Sequence, residues 1–206
     1  MKIFAAVLVL IATAGVSHAQ SRLDCQTAQR AAGVAIGRTG PYFEPSLGLG
    51  ESGRSESVLS RGGVQFAGRT ELPIAGAWRA RVEGATANWR LERQIYSADF
   101  RQVIATETAG DVGVRQITVQ IGRQGGRAPV CGYVLAGGGL YALHYKDTSV
   151  RGSGVALTAG VEFPGGPRGA VQLEVQLHLV NSGSRYPMGS STVVDSRFSA
   201  GWVYRF

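Results

Sequence analysis

From Val171 to Leu179 the chain alternates without a break. Val171, Leu173, Val175, Leu177 and Leu179 are apolar, and Gln172, Glu174, Gln176 and His178 between them are polar. Successive side chains of a strand point to opposite faces, so this spacing builds a two-faced β-strand. A helix would gather Leu173 and Leu177 on one side and leave Val175 on the far side. The same period returns along the chain. Val155, Leu157, Ala159, Val161 and Phe163 alternate with Gly154, Ala156, Thr158, Gly160 and Glu162. Ile117, Val119 and Ile121 alternate with Gln116, Thr118 and Gln120, and Trp78, Ala80 and Val82 with Arg79, Arg81 and Glu83. Val64 and Phe66 alternate with Gln65 and Ala67. Tyr133, Leu135, Tyr141 and Leu143 share one face of a glycine-rich segment. The last segment sets Thr192, Val194, Ser196, Phe198, Ala200, Trp202, Tyr204 and Phe206 against Val193, Asp195, Arg197, Ser199, Gly201, Val203 and Arg205. With a first segment at Ala32 to Arg38, this predicts eight strands, and no helix longer than a turn near Asp24 to Arg30.

The connections alternate too. Long stretches at 39–62 and 87–111 are separated by short turns at 71–76, 123–128 and 164–168, with intermediate loops at 145–152 and 181–191. Short turns on one rim and longer loops on the other predict an all-β chain folded as an antiparallel up-and-down transmembrane β-barrel of eight strands. In 89–106 the parity slips, which leaves two readings open: strand extended beyond the membrane, or a bulge or irregular loop.

The N-terminus reads as an export signal. Met1-Lys2-Ile3 leads into an apolar run from Phe4 to Val16 and then Ser17-His18-Ala19, with small residues where cleavage occurs. The expected organisation is a signal peptide at 1–19 and an outer-membrane barrel at 20–206, whose residues 20–31 form a periplasmic N-terminal segment and small plug. Nothing after Ala19 has the roughly 20 apolar residues of a membrane-spanning helix. The net charge is +7 and falls almost wholly on arginine; Lys146 is the one lysine after residue 19. For an exported chain, lipid headgroups and lipopolysaccharide phosphates are the expected partners of such charge, rather than nucleic acid. Two cysteines in an exported chain, Cys25 and Cys131, predict one disulfide, and no CxxC or Cys/His cluster points to a metal or cofactor.

Alternation alone does not say which face is inside. The polar face carries Arg79, Arg81, Glu83, Glu162, Glu174, His178, Asp195, Arg197 and Arg205 among small residues, enough to fill a narrow lumen as an ion-pair network. The apolar face carries Tyr133, Phe163, Phe198, Trp202, Tyr204 and Phe206, which fits interfacial aromatic girdles. The ending Gly201-Trp202-Val203-Tyr204-Arg205-Phe206 resembles the C-terminal β-signal of bacterial outer-membrane proteins. The whole mature chain resembles the small barrels of the OmpA, OmpX and opacity-protein type. That resemblance implies a cell outer-membrane location, passage through the barrel assembly machinery by way of Trp202, Tyr204 and Phe206, and a monomer. The chain is expected to carry no appended periplasmic domain, a departure from the full-length OmpA pattern that would remove its cell-wall anchoring role.

Within the lumen, a last hairpin turning near Arg185-Tyr186 would set Glu174 opposite Arg197, with Arg79, Arg81, Glu83 and Asp195 in the wider network. The expected role is a non-enzymatic barrel serving envelope integrity or surface interaction, with at most a very narrow pore. Two other readings are a lipid A-modifying enzyme and a soluble periplasmic binding barrel. A hydrolase would join a hydroxyl, a histidine and a carboxylate. His144-Tyr145-Lys146 and His178-Leu179-Val180 both lack the His-x-Ser spacing of the lipid A deacylases. Pairing of Cys25 with Cys131 predicts a shift in gel mobility on reduction. The Cys25→Ser and Cys131→Ser variants should each abolish that shift.

Overall fold

The computed structural model describes residues 30–42, 48–49, 55–97, 102–127, 130–165, 168–183 and 192–206. Cys25, the signal segment and residues 20–29 of the expected plug lie outside them; Ala31, expected in the plug, is strand instead, paired with Arg205 and Glu71. The strand segments are β1 (Ala31–Tyr42), β2 (Gly48–Leu49), β3 (Ser55–Arg61), β4 (Gly63–Ala75), β5 (Trp78–Tyr96), β6 (Val103–Arg127), β7 (Val130–Tyr145), β8 (Thr148–Pro164), β9 (Gly169–Asn181) and β10 (Thr192–Arg205). Every neighbour pair is antiparallel, and from β4 to β10 each strand pairs with the next. The ring closes because β1 pairs with both β4 and β10, from Ala31↔Arg205 to Tyr42↔Val194. β3 and β4 lie end to end along β5, broken at Gly62, whose φ of 23° is open to glycine and costly for other residues. Counting them as one stave gives the expected eight-stranded up-and-down barrel.

Side-chain burial follows the strand period. Outward positions on β6 are Ile117, Val119 and Ile121, all exposed, flanked by exposed Arg115 and Arg123. With strands tilted about 40°, those two arginines stand about 21 Å apart along the barrel axis, close to the ~25 Å apolar band of outer-membrane barrels. Val34, Ile36, Phe66, Val82, Val134, Leu140, Val155, Leu157, Val171, Phe198 and Trp202 continue the exposed apolar surface around the ring. Water would penalise such a surface, while lipid solvates it, and the closed ladder pairs the backbone groups that lipid cannot.

Above this band the pattern inverts on the same strands. Inward residues of β5 run Arg79, Arg81, Glu83, then Ala85 and Ala87, then Trp89 and Leu91; outward ones run Trp78, Ala80, Val82, then Asn88 and Arg90. On β6 the inward Gln120, Thr118 and Gln116 give way to Val114 and Val112. The outer end of the barrel is therefore filled by an apolar cluster of Ala87, Trp89, Leu91, Val112, Val114, Tyr141, Leu143, Val180 and Val193. Membrane-level staves are polar inside; the projecting end is apolar inside, like a water-soluble barrel.

Several expectations are corrected here. The stretch 87–111 is mostly ladder, because β5 and β6 extend to Tyr96 and from Val103. Both readings of its slipping parity apply: the hairpin extends outward, and the register shifts at Leu91/Glu92 and Ile95/Tyr96. Within 39–62, residues 55–61 are strand. The loop expected at 145–152 is a two-residue turn at Lys146 and Asp147. Tyr133 faces the lumen, not the lipid, and is 2% exposed, as is its neighbour in parity, Cys131, at 6%. The signal failed on β7 because both its faces are apolar or glycine.

Trp89→Ala discriminates a buried position from a loop. Trp89 is 1% exposed, so truncation should cost about 3–5 kcal/mol, read as a lower urea midpoint for the lipid-reconstituted barrel. A solvent-exposed loop residue would change it by only about 0.5 kcal/mol.

Candidate functional site

Among the described residues, the lumen is where charge is concentrated away from solvent. On adjoining strands β4 and β5, Arg69 stands across from Glu83 and Glu71 from Arg81, opposite charges directly paired in the ladder. The side chains then reach across the barrel. Glu174 on β9 lies 2.6 Å from both Arg69 Nη1 and Arg81 Nη1. Glu71 lies 2.6 Å from Arg81 Nη2 and 2.8 Å from Arg79 Nη1. Tyr133 donates its hydroxyl hydrogen bond to Glu174, and the Arg79 guanidinium lies 4.0 Å from the Tyr133 ring centre. The ring can lie there because residue 160 is glycine: a Cβ at Gly160 would fall 2.5 Å from the tyrosine Cζ.

A second group sits nearer the outer end. Arg197 Nε donates to Asp195 at 2.5 Å, Thr39 donates to the same carboxylate, and the Trp89 indole N–H donates to Thr39 Oγ1 at 3.0 Å. Tyr141 Oη and His178 Nδ1 are 2.8 Å apart, and His178 Nε2 lies 3.2 Å from Gln176 Oε1. This chain of contacts ties the polar middle of the barrel to the apolar cluster above it. At the opposite end Arg205 pairs with Glu162, and Gln172 Nε2 donates to Glu162 at 2.9 Å.

Among the described residues the lumen is charge-balanced. Arg69, Arg79, Arg81 and Arg197 are buried against Glu71, Glu83, Glu162, Glu174 and Asp195, and partly buried Arg205 supplies the fifth cation. Taking ions out of water costs several kcal/mol each, so charges persist there only by mutual pairing. An eight-stranded interior is just wide enough for its own side chains. Positive and negative side chains alternate across the interior, so the described residues offer neither sign of ion a continuous lining.

Of the residues singled out by sequence, Arg79, Arg81, Glu83 and Glu174 fall in one group and Asp195 and Arg197 in the other. Glu174 and Arg197 are not partners: Glu174 is across from Ser199, and Arg197 from Gln176. The hairpin register is displaced by two residues, which keeps every side chain on its face and is invisible to parity. Sequence reading missed Arg69 and Glu71, because the strand beginning at Val64 was ended too early; carrying its parity forward puts both inward. Trp202 and Tyr204 face outward on β10, and exposed Phe206 follows its last residue. His178 is in the lumen and His144 is exposed on the outer face of β7.

No family model matches the chain, and neither does any curated protein. Solved structures do. The crystal structure of Neisserial surface protein A matches with a TM-score of 0.55 at 15% identity, covering 86% of this chain and 97% of that one. Outer membrane protein AlkL in lipid bilayers gives 0.54 at 12% identity, with 93% and 97% covered. OprG of Pseudomonas aeruginosa gives 0.53 at 11% identity, with 86% and 94% covered. The shared feature is the fold, that of the small eight-stranded outer-membrane barrels. With its apolar outer band, the chain is an integral outer-membrane barrel.

Glu174→Ala should cost about 3–5 kcal/mol in unfolding free energy, because it leaves Arg69 and Arg81 buried without their shared partner. A double-mutant cycle should find strong coupling of Glu174 to Arg81. The same cycle with Arg197 should give coupling well below that value.

Proposed function

We propose that this barrel is a closed, non-enzymatic element of the outer membrane, serving envelope integrity and surface contact rather than diffusion. The observation that carries the reading is the filled lumen: a balanced network of arginines and carboxylates at membrane level beneath an apolar cluster around Trp89. Ion passage would have to break paired buried charges and then cross a dehydrated apolar zone, and each step is costly. Surface contact is favoured by the ladder of β3, β5 and β6, which continues beyond the last pairing of β6 with β7 at Val112↔Tyr145. It presents exposed Val103 and Ile104 at its far end.

The same reading takes in the ends of the chain. Residues 1–19 direct export, Trp202, Tyr204 and Phe206 serve recognition during assembly, and the segment from residue 20 up to the start of β1 at Ala31 closes the periplasmic mouth with Cys25 bonded to Cys131. Cys131 suits that role because it is buried on the lumen side of β7, next to Glu162 of β8 in the ladder. A segment crossing the mouth can approach it from within.

Purified barrel in a planar bilayer should give no stable conductance steps above the bare membrane. An Arg81→Ala/Glu174→Ala/Trp89→Gly variant that still folds should show openings. Steady ohmic channels from the unaltered protein would overturn the closed-barrel reading.

A further inference from the structure

We propose that the outer face of β6, β7 and β8 is a binding site for a phosphorylated glycolipid of the outer leaflet, with Arg115 and Arg151 clasping its phosphate. The inference rests on the chain spanning the outer membrane.

The register assembles the site. Arg115 on β6 is across from Ala142 on β7, and Ala142 is across from Arg151 on β8. Two outward-facing arginines thus flank a small residue. With strands about 4.8 Å apart, their Cα atoms are about 10 Å apart, so two guanidinium groups can close on one phosphate from either side. Arg is suited to this by its planar fork of donors. Exposed His144 follows Ala142 on the same face of β7, and exposed Lys146 is in the turn above it. Asp147 is the acidic residue of that turn, so the local balance stays positive. Among the described residues, neither Arg115 nor Arg151 has an ion-pair partner. By contrast Arg61 is paired with Glu92, and Arg90 lies 3.8 Å from Asp111.

The height of the pair is fixed by two independent features. Directly below lies the row Ile117, Leu140 and Ser153, in which Ile117 is 61% and Leu140 70% exposed. This is the upper edge of the apolar band. On the inside of the same staves, Gln116 gives way to Val114, so the polarity inversion falls at this same level. Arg115 and Arg151 therefore stand where the acyl region ends and headgroups begin, on the rim opposite the chain's C-terminus.

Below Leu140 the surface is shaped for chains. Gly138 lies between Val119 and Val155, and Ala136 between Ile121 and Leu157. Small residues on β7 between larger ones on β6 and β8 make a shallow apolar trough that runs down from Leu140, one row beneath the arginine pair. A lipid with a phosphate on its headgroup and several acyl chains matches both parts at once, with chains on either side of Leu140. A soluble phosphate would use the arginines and leave the trough bare.

The test uses detergent-solubilised full barrel and purified bisphosphorylated lipid A, with bound lipid counted by native mass spectrometry. The enzymatically dephosphorylated form is the second probe. Arg115→Gln/Arg151→Gln should weaken retention of the phosphorylated form by about tenfold or more, as expected for losing two charge-assisted contacts. It should leave the dephosphorylated form unchanged. Arg123→Gln, at the opposite end of the apolar stripe on β6, should retain lipid like the unaltered protein. The proposal is overturned if the double variant binds within twofold of the unaltered protein, if dephosphorylated lipid A binds as well as the phosphorylated form, or if Arg123→Gln loses as much. Inorganic phosphate that competes fully with the lipid would also overturn it, since the trough would then contribute nothing. Outer-membrane fractionation and heat-modifiable mobility of the same variants report separately on the barrel itself: their loss would count against the spanning fold, not against the lipid site.

Discussion

Closure of the backbone ladder governs everything else in this molecule. Lipid offers no partner to a peptide N–H or C=O, so β1 must meet β10 and leave no edge at membrane level. Once the ring is shut, the strand period gives each residue one of two surroundings: hydrocarbon outside or a narrow lumen inside. Charges sent to the lumen are beyond the reach of bulk solvent. They stay ionised only by pairing with one another, which is why Glu174 gathers Arg69, Arg81 and Tyr133 from three other staves. Local alternation thereby becomes a long-range constraint: changing one inward residue unsettles partners distant in sequence.

The same strands change their logic beyond the bilayer. At about the level of Arg115 the outside becomes polar and the inside apolar. Neither pattern can continue across that level without cost, because Leu91 would be wasted on lipid-level lumen charges and an outward Arg90 would be stranded in hydrocarbon. Thr39 and the Trp89 indole bridge the two regimes, passing hydrogen bonds from Asp195 up into the apolar cluster. The bridge lets one continuous stave serve in two solvents.

This inversion also explains what could be read from the sequence. β5, β8, β9 and β10 were legible over their membrane portions because one face is plainly apolar and the other polar, and Trp202 to Phe206 fixed which face meets lipid. β7 was not: Tyr133, Leu135, Val134 and Ala136 give no polarity contrast, and only the depth of the lumen beside Gly160 shows where Tyr133 goes. The stretch from Trp89 to Thr106 resembled a loop because its code is reversed and its register shifts twice. The Glu174–Arg197 pairing failed for another reason. A two-residue displacement of the hairpin leaves every face unchanged, so periodicity carries no information about it.

Why the lumen is ionic rather than apolar follows from the route as much as from the end state. Buried ion pairs are often no more stabilising than apolar side chains of similar volume. A stave apolar on both faces would satisfy the finished barrel's packing. In the unfolded chain, however, it would read as a continuous apolar run, which favours helical insertion when long and strand-to-strand aggregation when short. Placing Gln172, Glu174, Gln176 and His178 between Val171, Leu173, Val175, Leu177 and Leu179 interrupts that run at every second residue. The polar face keeps the strand tractable in water before closure, and the pairing of Glu174 with Arg69 and Arg81 makes the same charges tolerable after it.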